Sequence, residues 1–557
     1  MSLVIAQGVC LSYGKKVLFD NESFSIGPRD RMGLVGSNGT GKSTLMQMLA
    51  GVRQPDSGTF TYRRRARVGY LSQELAGLPE GTVVDAVLST VPGRDSLEAR
   101  LRETEDALGE VSSEEEQLAL AQALADLYVE LNQFEEHYGR HRAERILKGL
   151  GFQDADLDRP TGALSGGWRM RAALAGLLLQ DPDLLLMDEP TNHLDVSTLA
   201  WFDGFLKRST KALVLISHDR DFLNRQVDRI LALEVEGLRS YVGNYDAYKR
   251  QRAEEAEQLM AEAQRVEARK AELQSFIDRF RVTKASQARS RAKMLERLEE
   301  VRVLEERARM RFRFPEVARS GKEVMLLERV QKRYGATVVY SGLDARVERG
   351  QRIAVVGDNG AGKTTLLKLM AGELAPDAGV VKPGLNVVMG YYAQHHTEKL
   401  NKRNTILEEV RPLAADKPES VVRRVLGSFL FSGDDVDKPI SVLSGGERAR
   451  VALAKLLLVP SNLLLMDEPT NHLDLDSTEM LIEALKGYGG TLVFVSHNRG
   501  FVNRLASHVW DVVGGKVERH PGGLDDYLYH QEQRRLAREV GESSRGSRSK
   551  RENPRRD

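Results

Sequence analysis

The sequence predicts an α/β protein containing two copies of one phosphate-loop module, joined by a long α-helical linker, with a helical-hairpin arm inserted in the first copy. Three observations predict it. Tyr13-Gly14, the run GSNGTGKST (Gly36 to Thr44) and Gln73 recur as Tyr334-Gly335, GDNGAGKTT (Gly357 to Thr365) and Gln394, all at one constant offset. LSGGW (Leu164 to Trp168), LLLMDEPTNHLD (Leu184 to Asp195) and SHDRDF (Ser217 to Phe222) recur as LSGGE (from Leu443), LLLMDEPTNHLD (from Leu463) and SHNRGF (from Ser496), at a second, shorter offset. The first copy therefore carries a net insertion, all of it between Gln73 and Leu164. Finally, heptad-like apolar spacing fills the stretch between the copies.

Within each copy the order is strand, glycine-rich turn, helix, a further helical stretch, the apolar strand LLLM with an acidic end, and a short strand, ALVLIS or TLVFVS. Apolar runs of this length alternating with helices describe a parallel α/β core. The chain's 557 residues suffice for at least two cores. With 81 Lys plus Arg against 80 Asp plus Glu, no global field announces a polyanionic partner, and any such surface is local. The single cysteine, Cys10, excludes an intramolecular disulfide and a thiolate-built metal cluster and suits a reducing, cytoplasmic setting. The N-terminus lacks a basic region followed by a long apolar core, and no apolar run approaches the length a membrane-spanning helix needs, so no membrane domain is expected.

The repeated motifs carry a coherent chemistry. In both glycine-rich loops the backbone N–H groups curl around an anion at a helix N-terminus, with Lys42 and Lys363 reaching the β- and γ-phosphates and Ser43 and Thr364 on Mg²⁺. One such match arises by chance in a chain of this size with a probability on the order of 10⁻²; two in register with five other landmarks do not. Strand alternation would send Asp188 and Asp467 to Mg²⁺ and turn Glu189 and Glu468, as general bases, towards an attacking water. His218 and His497 follow apolar strands, placed to donate to a γ-phosphate, and Gln73 and Gln394 to orient water or Mg²⁺.

Walker A, LSGG, DEPTNHLD and Ser-His-Asp/Asn together resemble the ATP-binding cassette superfamily, LSGG after a Gln being the specific element. The resemblance implies ATP held by Gly36, Ser37, Asn38, Gly39, Thr40, Gly41, Lys42, Ser43 and Thr44 in one copy and by Gly357, Asp358, Asn359, Gly360, Ala361, Gly362, Lys363, Thr364 and Thr365 in the other. Tyr13 and Tyr334 match its adenine-stacking aromatics. It further implies a head-to-tail sandwich within one monomeric chain, with Ser444, Gly445 and Gly446 against the ATP on Lys42, and Ser165, Gly166 and Gly167 against that on Lys363. A helix N-terminus and glycine N–H groups would complete an anion site that neither copy has alone. Trp168 departs from the Gln or Glu usual after LSGG and leaves the equivalence of the two sites open.

The first copy is expected to occupy 1–91 and 141–248, its arm 92–140, the linker 249–320, the second copy 321–533 and a basic, disordered tail 534–557. In the arm, Leu97, Leu101 and Leu108, then Leu120, Leu124, Leu127 and Leu131, keep helical spacing, with Gly109 and a Ser112-x-x-Glu115 capping-box match at the turn. From Arg94 to Arg145 it carries 14 acidic and 6 basic residues, equally compatible with a solvated hairpin and with an acidic face for a basic protein. In the linker, Ala256, Leu259, Ala263, Val266, Leu273, Ile277 and Phe280 open one helix, and Met294, Leu298, Val301 and Ala308 follow in a second. Between them lie six basic residues and no acidic one: Arg279, Arg281, Lys284, Arg289, Arg291 and Lys293. That junction suits RNA phosphate.

Twin cassettes, no membrane domain, an insertion confined to the first copy and a basic interdomain helical pair together resemble the ABC-F family of ribosome-associated translation factors, over about residues 1 to 530. The resemblance implies an ATPase that closes around two ATP and binds the ribosomal tRNA exit site, near rRNA and a ribosomal protein. Its linker would approach the P-site tRNA, and hydrolysis would release it. A DNA-associated ATPase, an antibiotic-resistance factor and a transporter ATPase subunit are the rival readings. Against the first, no long C-terminal coiled coil of the kind such relatives carry is expected here, and the last would leave the basic linker unexplained.

Overall fold

The computed structural model describes residues 2–533 apart from 15, 73–76, 112, 193, 281–289, 291, 296–309, 311, 394–399, 472 and 532. Gln73, Gln394, Arg281, Lys284, Arg289 and Arg291, with Leu298, Val301, Ala308 and the tail 534–557, lie outside the described residues.

In each half a six-stranded sheet forms around strands that are apolar along most of their length. The first runs Val68–Leu71, Leu184–Asp188, Ala212–Ile216, Arg31–Val35, Arg229–Glu234, Gly237–Val242, all parallel but for the last pair. The second repeats that order as Met389–Tyr392, Leu463–Asp467, Thr491–Val495, Arg352–Val356, His508–Val513, Lys516–Pro521. Both LLLMD strands are buried at every position, as expected of strands covered on both faces. Each half adds a three-stranded antiparallel sheet, Lys16–Ile26, Val4–Tyr13, Ser57–Tyr62 in the first and Thr337–Glu348, Glu323–Tyr334, Ala378–Pro383 in the second.

Helix Lys42–Leu49 is packed between the small sheet and one face of the large one, burying Leu45, Met46, Met48 and Leu49. Helices such as Gly166–Gln180 and Val196–Arg208 cover the other face. The parallel register pairs Asp188 with Ile216 and Asp467 with Val495. Glu189 and His218, just past that pair, are thereby brought to one strand edge, and Glu468 and His497 likewise.

Arg94–Glu110 and Glu114–Tyr138 form the arm, closed by Leu97, Leu101 and Leu127 with Leu124, Leu131 and Phe134. Its second helix has Ser113 as N-cap, whose side chain makes no capping hydrogen bond, while Ser112 of the anticipated capping box lies outside the described residues. The linker opens with a 36-residue helix, Tyr245–Phe280, about 54 Å long at 1.5 Å per residue. Tyr245 and Tyr248 bury its root in the first core, and Leu273 on its apolar face is buried. At the far end Met310 and Phe312 enter the second core, where Phe312 stacks on Phe429 with ring centroids 4.6 Å apart. Among the described residues no helix is long and apolar enough to cross a membrane.

Candidate active site

Each glycine-rich loop leaves a buried strand and enters a helix whose N-cap is a left-handed glycine, Gly41 (φ 101°) or Gly362 (φ 107°). A β-carbon at Gly362 would stand 2.5 Å from a methyl of Val339, so both conformation and space require glycine. The free N–H groups of the helix start, with Ser43 and Thr44 or Thr364 and Thr365 in its first turn, face the loop. The Lys42 ammonium donates to the carbonyl oxygens of Gly36 and Ser37 at 2.8 and 3.1 Å, and Lys363 to those of Gly357 and Asp358 at 2.8 and 2.9 Å. Burial lowers the pKa of Lys363, opposed by Glu468 and Asp195. Two concave, donor-rich anion cradles result.

The carboxylates separate by a route other than strand pleating. Asp188 and Asp467 end their strands, and Glu189 (φ 53°) and Glu468 (φ 49°) follow in the left-handed region that glutamate seldom occupies. That turn directs each Glu to the histidine after the neighbouring strand. His218 donates its backbone N–H to one Glu189 oxygen at 3.2 Å while its Nε2 lies 3.2 Å from the other. His497 repeats this against Glu468, at 3.2 and 3.4 Å. Burial, then the adjacent aspartate, pushes the Glu189 and Glu468 carboxyls up to about 8. Burial also raises Asp188, against a hydrogen bond from Ser43 and the charge of Lys42.

The halves meet head to tail. A cavity of about 770 Å³ is lined by Ser165, Gly167 and Trp168 from the first half and by Lys363, Thr364, Thr365, Glu468 and His497 from the second. In the converse direction the Asn38 N–H donates to Asp474 at 3.4 Å, and the Asn498 side chain to the carbonyl of His218 at 3.2 Å. Asp195 and Asp474, which the motif reading passed over, end the DEPTNHLD runs and cap the next helices through Thr198 and Ser477. Asp195 is also held 2.9 Å from Arg171, a guanidinium 2% exposed.

The two LSGG helices differ. Ser444 and Glu447 form a reciprocal capping box, with bonds of 2.7 and 3.3 Å, whereas Ser165 caps its helix without a side-chain bond. Trp168, in the place of Glu447, packs edge-on to Phe152, and Arg171 lies 4.8 Å over its ring. Gly445 and Gly446 begin the Ser444 helix as Gly166 and Gly167 begin the Ser165 helix. Tyr13 and Tyr334 remain on the surface, the former beneath the Arg53 guanidinium at 4.4 Å. Arg279 and Lys293, the described members of the basic junction, both belong to helical segments of the linker.

Comparison with known proteins agrees with this geometry. A family model described as ABC transporter matches residues 19–192 and 340–471, and a second of the same description matches 231–314. The chain is 38% identical over 527 residues to the Probable ATP-binding protein YheS of Escherichia coli (strain K12), covering 94% of this chain and 81% of that one. It is 35% identical over 523 residues to ATP-binding cassette sub-family F member 3 of Homo sapiens, covering 93% and 72%. The fold matches that of the archaeal ribosome recycling factor aABCE1, solved in complex with the stalk protein aP1, with a TM-score of 0.59 at 18% identity over 94% of this chain and 92% of that one. The chain binds ATP and is an ATPase with two cassettes. It belongs to the F subfamily of the ATP-binding cassette proteins, ABC-F.

Proposed function

We propose that this ATPase is an ATP-gated translation factor of the cytoplasm, which closes on two ATP, binds the ribosome at the tRNA exit site and leaves after hydrolysis. The observation that carries the reading is the composite cavity, in which the LSGG residues of one cassette face the phosphate loop of the other, while a 36-residue helix leaves the first cassette. The low-identity fold relative is named a ribosome recycling factor, a role of the same kind.

In this reading Lys42 and Lys363 hold the β- and γ-phosphates, Tyr13 and Tyr334 stack on adenine, and Ser165 and Ser444 approach the γ-phosphate from the opposite cassette. Glu189 and Glu468 accept the proton of the attacking water, with His218 and His497 orienting them. Mg²⁺ would neutralise phosphate charge between Ser43 and Asp188, and between Thr364 and Asp467, with Gln73 and Gln394. Ser43 is bonded to Asp188, and a buried Asp188 oxygen without a hydrogen-bond partner fits such a charge. The basic residues Arg279, Arg281, Lys284, Arg289, Arg291 and Lys293 meet RNA phosphate near the P-site tRNA.

The test uses the Glu189→Gln/Glu468→Gln chain with ATP and 70S ribosomes on a sucrose gradient. Co-sedimentation that is lost on further changing Lys42 and Lys363 to Ala is expected. A variant that binds ATP yet stays at the top of the gradient removes the ribosome from the reading.

A further inference from the structure

The duplicated fold contains its own control, because positions related by the shorter of the two repeat offsets, the one that carries Leu164 to Leu443, are equivalent. Asp246, at the root of the linker helix, takes the arginine of its own cassette's histidine loop, Arg220, at 2.7 Å. The equivalent Asp525 takes Arg499 at 2.9 Å. Beyond these pairs the symmetry ends. Arg220 also reaches Glu479 of the other cassette at 3.2 Å, and Arg504 holds both oxygens of Glu479 at 2.7 Å. At the place equivalent to Glu479 stands Ala200, which offers Arg499 no carboxylate. Lys249, one turn along the linker helix, lies 2.6 Å from Asp476 of the other cassette, whereas the equivalents of these two are Leu528 and Ser197.

Lys249 thus joins the linker root to the far cassette directly, and Asp246 does so through Arg220, on the half of the sandwich that carries the linker. Arg220, Asp246 and Glu479 border a cavity of about 230 Å³ that His218 also lines. Arg220 follows His218 by two residues, and His218 backs onto Glu189.

We propose that Arg220, Lys249, Asp476 and Glu479 form a latch that seats the linker helix when the cassettes close, and that Arg220 is a positioning residue for hydrolysis at Glu189. The latch rests on ATP-driven closure and not on the ribosome. Displacing the linker slackens the first histidine loop, so hydrolysis at Glu189 responds to whatever the linker touches. The Glu468 site, without an equivalent latch, does not.

The test uses the full chain with Cys10→Ser and Glu479→Ala/Asp476→Ser. These substitutions install the residue types of the equivalent positions on side chains 24% and 53% exposed, so folding persists. In a Glu189→Gln/Glu468→Gln background, spin labels at Glu262→Cys and Lys382→Cys report the linker, and labels at Arg64→Cys and Lys382→Cys report closure. With ATP both distance distributions should narrow in the parent; in the latch variant the closure pair should narrow and the linker pair stay broad. Identical linker distributions in the two proteins overturn the latch, and a closure pair indifferent to ATP overturns the gating on which it rests. Lys249→Asp should broaden the linker pair and Lys249→Asp/Asp476→Lys restore it. With Glu468→Gln alone, the latch variant should lose about two- to fivefold in kcat at unchanged KM, the factor such ion pairs carry; with Glu189→Gln alone, kcat should hold. Equal losses at both sites refute the positioning role.

Discussion

Replacing Glu189 and Glu468 together by Gln tests the electrostatics of the site in nucleotide-free, chelator-treated protein. Burial, reinforced by Asp188 and Asp467, moves each carboxyl from 4.5 to about 8. Below the lower value each group is neutral in both the folded and the unfolded chain and leaves stability unchanged. As pH rises from 4.5 to about 8, the unfolded chain releases a proton that the folded chain keeps, so stability falls. The slope is about 1.4 kcal/mol per pH unit for each glutamate, and the loss levels off at about 5 kcal/mol for each, one in either cassette. Gln has no proton to release and escapes it. The Tm of the variant should equal that of the parent at about pH 4 and exceed it by on the order of 10 °C at about pH 8. Parallel curves of Tm against pH for the two proteins would refute the burial argument.

Other consequences follow from the packing. Arg171→Met strands the buried Asp195 charge and should cost about 3–5 kcal/mol by denaturation, much of it recovered in Arg171→Met/Asp195→Asn. Phe312→Ala removes the ring stacked on Phe429, where the linker enters the second core, and should cost about 3–5 kcal/mol in the unfolding of that cassette. Ser444→Ala breaks a capping box and should cost about 1 kcal/mol, whereas Ser165→Ala, with no capping bond to lose, should leave the Tm nearly unchanged. Equal effects of the two serine variants would contradict the difference between the helices.

Much of this was readable because the chain states it twice. The two offsets located the arm without any structural knowledge, and apolar strands such as LLLMD could belong only to a sheet covered on both faces. The left-handed backbone at Glu189 and Glu468 was not readable, since it depends on the partner strand that Ile216 or Val495 ends, a contact distant in sequence. For the same reason the contact of each histidine with its glutamate could not be seen. Trp168 was visible as an oddity in LSGGW, but its effect requires Phe152 and Arg171, which only folding brings to its ring.

Trp168 also gives the chain an optical label. Of the three tryptophans, Trp510 is sealed in the second core and Trp201 leans on Phe205 away from the cavity, while Trp168 alone forms part of the cavity wall. Intrinsic fluorescence therefore reports on this cavity, which holds the Lys363 loop and also reaches Glu189 and His218. A nucleotide titration followed at this single fluorophore reads filling of that cavity without any dye or mutation.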